Sequence, residues 1–463
     1  MESFYAIVLA AGAGTRMKSN KAKVIHEICG KPMVNWVIQA VKASDVDNII
    51  VVTGHQEEQV RPCIVEEVEF VSQREQLGTG HAVMQVIPYI EGEKGNCLVL
   101  CGDTPLITSE TIKQLIQEHT ENKRAMTVLT AIFEEPKGYG RIIRDYNQNV
   151  AGIVEHRDAN AEQLQIKEIN TGMYCFDIEY LLDSLSKLSN QNDQKEYYLT
   201  DTVSIIRDSG GKVGATILSN VDEMMGINDR IQLSCAQKIM NRRIIERHMS
   251  NGVTFLDPDS CIIEDNVTIE NDTIVYPSTI LEGNTKIGQN CTIGPNSKIT
   301  DTVIGNNVTI INSVTIDSKI DDKSKVGPFA YLRPGSQVGK NVKIGDFVEI
   351  KNSVVGDDTK ISHLTYVGDA EIGENVNLGC GVVVVNYDGQ KKQKTIVGDN
   401  SFIGCNVNLV SPVEVKANAF VAAGSTITEE VPENSLAIAR SRQTIIKDWV
   451  INKGRLRGKK PEV

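Results

Sequence analysis

Apolar residues along this chain keep two different periods. Up to about residue 227, short β-type runs alternate with stretches of helical spacing. Tyr5–Ala10, Ile49–Thr53, Cys97–Leu100 and Met126–Ile132 read as strands, and Met33–Ala43, Gly80–Ile90 and Ser109–Glu121 as helices. This βαβα order predicts a Rossmann-like, three-layer α/β fold with a mostly parallel sheet. Ligands in such folds sit beyond the carboxyl ends of the strands. From Asp229 to Ser250 the residues Ile231, Ala236, Ile239, Met240, Ile244 and Met249 fall near helical spacing, and Asn251-Gly252 supplies a stop. That segment reads as a linker helix.

Beyond the linker the period becomes six. Ile263, Ile269, Val275, Leu281, Ile287, Ile293 and Ile299 form one block; after a one-residue slip Ile304, Ile310 and Ile316 resume it. Ile320, Val326, Leu332, Val338, Ile344 and Ile350 continue, and Val397, Ile403, Leu409, Val415, Val421 and Ile427 close the series. Six is neither the helical 3.6 nor a hairpin pattern. It is the hexapeptide repeat of a left-handed parallel β-helix, with each aliphatic residue pointing inward and three hexads to a coil. Between Val384 and Val397 the register fails, and "NYDGQKKQKT" (386–395) must leave the prism as a loop. The chain therefore divides into 1–228, a linker helix 229–250, and a β-helix region 251–463.

Composition sharpens this picture in three places. Aromatics are only 5% of the chain, which suits a narrow interior of Ile, Val and Leu. The formal net charge of -12 argues against a protein that wraps a nucleic-acid polymer, but leaves room for a small phosphorylated ligand held by a few local cations. Ten cysteines are scattered without a C-x-x-C pair, so zinc spacing is absent and a disulfide framework is not expected. Phe4 to Ala13 is apolar, yet Glu2 precedes it and no basic segment does, so a buried first strand is the better reading than a signal peptide. No run reaches the ~18 apolar residues of a membrane span. These features together predict a soluble, cytoplasmic protein without integral membrane contact.

Two stretches carry candidate chemistry. In "AIVLAAGAGTRMKSNKAKVIHEICGKPM" (6–33) a β-type run meets a glycine turn and then basic residues. Met17 stands where a dinucleotide fingerprint needs its third glycine, and no Gly-Lys-Ser/Thr follows. The turn at Gly12 and Gly14 reads instead as an anion nest, with Arg16 and Lys23 adding charge for phosphate. Asp103, in "CGDTP" (101–105), ends a strand and is either a turn cap or a Mg²⁺ ligand. In the second half His363, in "ISHLTY", is either structural or a general base, for which imidazole has a suitable pKa.

The motifs "LAAGAGTRM" with Lys23, "QLGTGHA" (76–82), "GDTPL" (102–106), "GYGRI" (138–142), "GIVEH" (152–156) and "EINTG" (168–172) resemble the sugar-nucleotide pyrophosphorylases. The second half adds "RPGS" (333–336), "KIGDFVEIKNS" (343–353), "SHLTYVGDAEIG" (362–373) and "NYDG" (386–389). Joined in this order, they resemble the family of bifunctional N-acetylglucosamine-1-phosphate uridylyltransferases and glucosamine-1-phosphate N-acetyltransferases, over nearly the whole chain. That resemblance implies UTP and acetyl-CoA as co-substrates and Mg²⁺ as cofactor. It assigns Leu9, Ala10, Ala11, Gly12, Arg16 and Lys23 to the nucleotide, Gln73, Gly78 and Thr79 to the uracil, and Gly140, Glu155 and Asn170 to the amino sugar. Asp103 and Asn228 would hold the metal, with Asp229 a rival on sequence alone.

For the second half it implies that His363 is the base toward the sugar amine, with Glu349 orienting or polarising it. Arg333 and Lys351 would clamp the sugar phosphate, and Tyr366 and Asn377 would complete the sugar site. Asn386 and Tyr387 would meet the acetyl group and amine; Cys380, Cys405, Ala423 and Arg440 would line the coenzyme A path, and Lys392 would be a candidate for its phosphates. It further implies a homotrimer with acetyl-transfer sites between subunits, and supply of a precursor for cell-wall polymers. Three positions depart from the family pattern: Ala22 where proline usually precedes the phosphate lysine, Cys380 where alanine is common, and Cys405 where serine is frequent. Loss of the proline is expected to loosen Lys23. Two rivals stand beside this reading, a uridylyltransferase whose β-helix only oligomerises and a non-catalytic sugar-nucleotide sensor. The basic tail "KGRLRGKK" (453–460) reads as a disordered end.

Overall fold

The computed structural model of the protein describes residues 3–46, 48–192 and 194–454. It separates into two compact units, Met1–Ile244 and Ile245–Val463. The basic tail lies outside the described residues from 455 onward.

The first unit is built on a nine-stranded sheet. Its strands are β1 (Ser3–Ala10), β2 (Asn48–Thr53), β3 (Glu69–Ser72), β4 (Gly95–Cys101), β5 (Met126–Ile132), β6 (Arg141–Arg144), β7 (Val150–Val154), β8 (Glu168–Asp177) and β9 (Val213–Ile217). The main order is β9-β5-β8-β4-β1-β2-β3, with β6 pairing β8 and β7. Along β1 the side chains alternate between two cores. Ile7 joins one with Val52 and Val99; Ala6 and Val8 join the other with Val51, Leu98 and Leu100. A strand buried on both faces reads as a continuous apolar run, which is why "YAIVLA" is legible as the sheet centre. Helices Met33–Lys42 and Ser109–Glu121 cover the Ala6 face through Val37, Ile38, Val41, Ile112 and Leu115.

The sheet is mostly parallel, as expected; along its main order only β8 runs antiparallel, between β4 and β5. One local expectation is corrected here. The expected helix Gly80–Ile90 is two short helices, Thr79–Met84 and Ile87–Ile90; Pro88 has no N–H to offer a continuous helix and sits in the first turn of the second. The helix Arg230–Ser250 buries Ala236, Met240, Ile244 and Ile245, whereas Ile231 (77% exposed) and Met249 (41%) point to solvent. No helix among the described residues is long and apolar enough to cross a membrane.

The second unit is a left-handed parallel β-helix with three sheets of 11, 10 and 9 strands. Residues three hexads apart pair in parallel, as in Ile263↔Leu281 and Ile269↔Ile287. The aliphatic series fills the interior: Val275, Leu281, Ile293, Ile310, Leu332, Ile344, Ile350 and Ile403 are fully enclosed. One inward assignment fails. Thr315, not Ile316, pairs with Ile299 and Leu332 and is enclosed, because the coil from Ile299 to Thr315 has a second one-residue shortening besides the slip before Ile304. Thr315 satisfies its hydroxyl on Thr302 Oγ1 at 3.3 Å. The 386–395 excursion leaves between strands Val383–Val385 and Thr395–Val397 as expected, and forms a small antiparallel turn through a Tyr387–Lys392 bridge. Asp388 caps it by accepting from the N–H groups of Gln390 and Lys391, both at 2.8 Å.

Interior packing and interior polarity should therefore respond differently to substitution. Ile344→Ala leaves a cavity in a stack that cannot collapse, and should cost about 2–5 kcal/mol. Thr315→Val keeps shape and adds apolar surface between Ile299 and Leu332, and should change stability by no more than about 1 kcal/mol. Denaturant unfolding followed on the β-helix transition checks both; equal costs would contradict this account of the interior.

Candidate functional site

The loop after β1 and the turn after β4 lie at carboxyl ends of adjacent strands, and a cavity of about 310 Å³ opens there. Leu9, Ala10, Ala11, Gly12, Lys23, Gln73, Gly78, Thr79 and Asp103 all line it, so nine of the residues singled out from sequence come together. The glycines differ in purpose. Gly14 has φ +59, and a Cβ on it would lie 2.5 Å from Cβ of Lys23, so glycine is needed to let Lys23 lie close. A Cβ on Gly12 would meet nothing within 4 Å, so the missing side chain leaves open space for a ligand. Ala22 does more than leave out a proline: its N–H donates to Gln59 Oε1 at 3.1 Å, a bond proline could not make. That bond ties the lysine turn down where the sequence suggested it would be looser.

Lys23 is the electrostatic centre of this site. Its ammonium pairs with Asp103 Oδ2 and donates to Asn228 Oδ1 at 3.3 Å. Arg16 Nη2 donates to the same Asn228 oxygen at 2.9 Å. Asp103 and Asn228 thus turn one oxygen each toward a shared cation. One carboxylate and one amide oxygen aimed at a common point fit a hard divalent ion that takes its other ligands from water and phosphate. The backbone secures the arrangement, because Ile227 N–H donates to the Asp103 carbonyl at 2.9 Å. Gln73 is buried and donates through Nε2 to the Gly78 carbonyl at 3.1 Å, close to His81, which sequence reasoning missed. Cys101 also lines the cavity; burial, and then the charge of Asp103, pushes its thiol up to about 12, so it presents a neutral wall.

Gly140, Glu155 and Asn170 meet a little apart from this group. The Asn170 N–H donates to the Gly140 carbonyl at 2.9 Å, and a Cβ on Gly140 would lie 3.5 Å from Glu155 Oε1. Burial, helped by Asp158 and Asp201, raises the Glu155 carboxyl above its ordinary value.

In the second unit, one corner of the β-helix gathers the remaining chemistry. A ladder of equivalent backbone bonds runs down it: Leu364 N–H to the Asp346 carbonyl (3.0 Å), Gly381 to His363 (3.3 Å), Asn406 to Cys380 (2.8 Å) and Gly424 to Cys405 (2.8 Å). Asp346, His363, Cys380 and Cys405 are therefore stacked on four successive coils, with Ala423 next in register and Arg440 beside Gly424. His363 Nδ1 lies 2.5 Å from Asp346 Oδ1, and this bond holds the Asp346 carboxyl below its usual range. The expectation that Glu349 orients His363 is corrected: Glu349 accepts from Arg333 Nη1 at 2.8 Å. Asp346 was missed because it precedes His363 by 17 residues, one short of three hexads, and only the stacking of the coils brings the two together.

Around the corner, Lys351 pairs with Asp369, 18 residues on, at 3.1 Å. Burial works against the charge of Asp369, but hydrogen bonds from Asn352, Lys351 and Asn386 outweigh it and keep the carboxyl low. Asn386 donates to Asp369 at 2.5 Å and reaches Tyr366 Oη at 3.4 Å. Gly368 permits this, because a Cβ there would lie 2.4 Å from Tyr366 Oη and 2.7 Å from Asn386 Nδ2. Lys392 abuts Lys351, and its side-chain hydrogen bond to that lysine, then the charge of Lys351, lower its pKa, so the loop lysine joins this cluster rather than the Cys405 corner. Asn377 pairs in register with Lys360 on the neighbouring sheet, outside the Tyr366 cluster. Tyr387 is exposed on the loop and donates to the Gly389 carbonyl at 2.8 Å.

Comparisons with known proteins agree with this division. The MobA-like NTP transferase domain matches residues 6–163, the bacterial transferase hexapeptide (six repeats) matches 266–301 and 284–318, and the GMPPB C-terminal domain matches 317–436. Among relatives, the bifunctional protein GlmU of Acetivibrio thermocellus is 59% identical over 460 residues, 99% of this chain and 100% of that one. Those of Clostridium novyi (54% over 450 residues) and Clostridium tetani (53% over 449) each cover 97% of this chain and 98% of their own.

The Asp346–His363 bond has a pH signature. A depressed folded-state pKa means stability that is present above the unfolded value of ~3.9 and is lost as pH falls through the lower folded value. Carbon-detected NMR of the Asp346 carboxyl should give a midpoint below that reference, and His363→Ala should return it upward. A midpoint at or above ~3.9 in the unmodified protein would show that the bond is not made.

Proposed function

Because this chain belongs to the GlmU family of bifunctional proteins, we infer its chemistry from two transferase sites on one polypeptide. It is a bifunctional enzyme of UDP-N-acetylglucosamine synthesis, with a nucleotidyltransferase domain followed by a hexapeptide acyltransferase domain. Acetyl transfer from acetyl-CoA to glucosamine 1-phosphate precedes uridylyl transfer from UTP to N-acetylglucosamine 1-phosphate. The proposed allotment is 1–228 for the uridylyl step and 251–463 for the acetyl step, with 229–250 linking them.

For the acetyl step, His363 is the proposed general base. Its Nδ1 is engaged by Asp346, which leaves Nε2 to take the proton that the attacking amine must lose. Asp346 acts as a positioning residue by holding the ring. Arg333 and Lys351 are the proposed phosphate partners, with Lys392 beside Lys351. Tyr366, Asn377, Asn386 and Tyr387 would orient the sugar and acetyl group, and the Cys380, Cys405, Ala423 and Arg440 corner would take the coenzyme.

For the uridylyl step, the nucleophile is a phosphate oxygen already carrying charge, so positioning and neutralisation are what the protein must supply. Gln73, Gly78 and Thr79 would recognise the base. Gly140, Glu155 and Asn170 would hold the sugar, and Arg16 and Lys23 would turn to the phosphates. Asp103 and Asn228 would hold Mg²⁺, which when bound neutralises phosphate charge and orients the reacting groups.

The carrying observation is that Lys23, Asp103 and Asn228 converge on the glycine turn while His363 and Asp346 stack in a separate β-helix corner. Asp103→Asn should remove most pyrophosphate release and spare thiol release from acetyl-CoA. His363→Ala should do the reverse, by about 10²–10⁴-fold. Loss of both activities in either folded variant would contradict separate sites.

We further propose a cytoplasmic homotrimer with acetyl-transfer sites shared between subunits. One-residue neighbours of Asp346 and His363, namely Phe347 and Leu364, are each 57% exposed, and Phe347 stacks on Phe329 with ring centroids 5.4 Å apart. Such an apolar ladder beside a polar site calls for cover, and the flat faces of a three-sided prism suit closed cyclic packing. Mixed assemblies of His363→Ala and Arg440→Ala subunits should recover acetyl transfer. A fully active monomer in light scattering would contradict the shared site.

A further inference from the structure

Cys380 and Cys405 stand on consecutive coils directly below His363 in the corner ladder. Their backbones are in contact. Asn406 N–H donates to the Cys380 carbonyl at 2.8 Å, and a Cβ on Gly379 would come within 2.6 Å of the Cys405 nitrogen. Neighbouring parallel strands lie ~4.8 Å apart, inside the ~4.4–6.8 Å Cα span that a disulfide bridges. Cys405 is exposed and Cys380 half-buried, whereas Cys97, Cys175, Cys261 and Cys291 are all buried. The excursion loop separates the two in sequence, so their adjacency appears only once the coils are stacked.

We propose that Cys380 and Cys405 are a reversible dithiol–disulfide pair that shuts the acetyl-transfer corner when a small-molecule disulfide is present. The exposed Cys405 thiolate attacks the disulfide RSSR and one RS⁻ leaves, giving a mixed disulfide on Cys405. The Cys380 thiolate then attacks Cys405 Sγ and expels the second RS⁻. The cysteines lose two electrons, RSSR is reduced to two RSH, and the two cysteine protons end on the released thiols. Closing the bond draws the Cβ atoms to roughly 3.8 Å and so reshapes the corner one coil below His363. Only this functional consequence rests on the acetyl-CoA reading of the corner; the bond itself does not.

The test uses the full chain incubated with millimolar oxidised glutathione, then alkylated, digested and analysed by mass spectrometry. The expected product is one linked species joining the Cys380 and Cys405 peptides, lighter by two hydrogens, absent from Cys380→Ala and reversed by dithiothreitol. Acetyl transfer should fall about tenfold or more in the linked protein, with pyrophosphate release unchanged. Peptides recovered unlinked, or carrying only glutathione, would overturn the pair. A linked pair with undiminished acetyl transfer would keep the disulfide and overturn the acetyl-CoA reading of this corner.

Discussion

The parallel backbone ladder between successive coils is the constraint on which the second unit depends. Most of its strands are two or three residues long and could not persist alone. Each is held because the coil above and the coil below satisfy its N–H and C=O groups, so stability is close to a sum over neighbouring rungs. The same ladder fixes the chemistry. The bond that sets Leu364 on Asp346 also sets His363 beside the Asp346 carboxylate, and its repeats carry the line on to Cys380 and Cys405.

The first unit relies on a different device, a glycine turn that lets a lysine fold back. Gly14 adopts a left-handed backbone and clears the side chain of Lys23, which then reaches Asp103 and Asn228. Ala22 would have been a proline by family pattern, and the stiffness lost in the chain is offset by its hydrogen bond to Gln59.

In both units, cations proposed for phosphate are already paired with carboxylates: Lys23 with Asp103, Arg333 with Glu349 and Lys351 with Asp369. A phosphate bound by Arg333, as proposed, would have to compete with Glu349 for the guanidinium. Lys351 differs, since Lys392 sits against it and brings a second positive charge to the same point.

The sequence by itself determined the period of six, and with it the β-helix, because an interior open only to aliphatic side chains leaves a regular mark. It also determined the buried first strand and the glycine turn with Lys23, since a glycine turn at a strand end is a local feature; Gln73, Gly78 and Thr79 came only through the family resemblance, because they reach the cavity from elsewhere in the chain. Thr315 escaped because a second one-residue shortening in its coil shifts the inward position without changing the look of the neighbouring isoleucine. The partner of His363 was a tertiary decision. Coil lengths vary, with facing residues 17 apart at Asp346 and His363, 18 at Lys351 and Asp369, and 25 across the excursion at Asn375 and Asn400. Glu349 lies nearer His363 in the chain, but the coil closes on Asp346, and hydrogen bonding between coils, not distance along the sequence, selects which side chains meet.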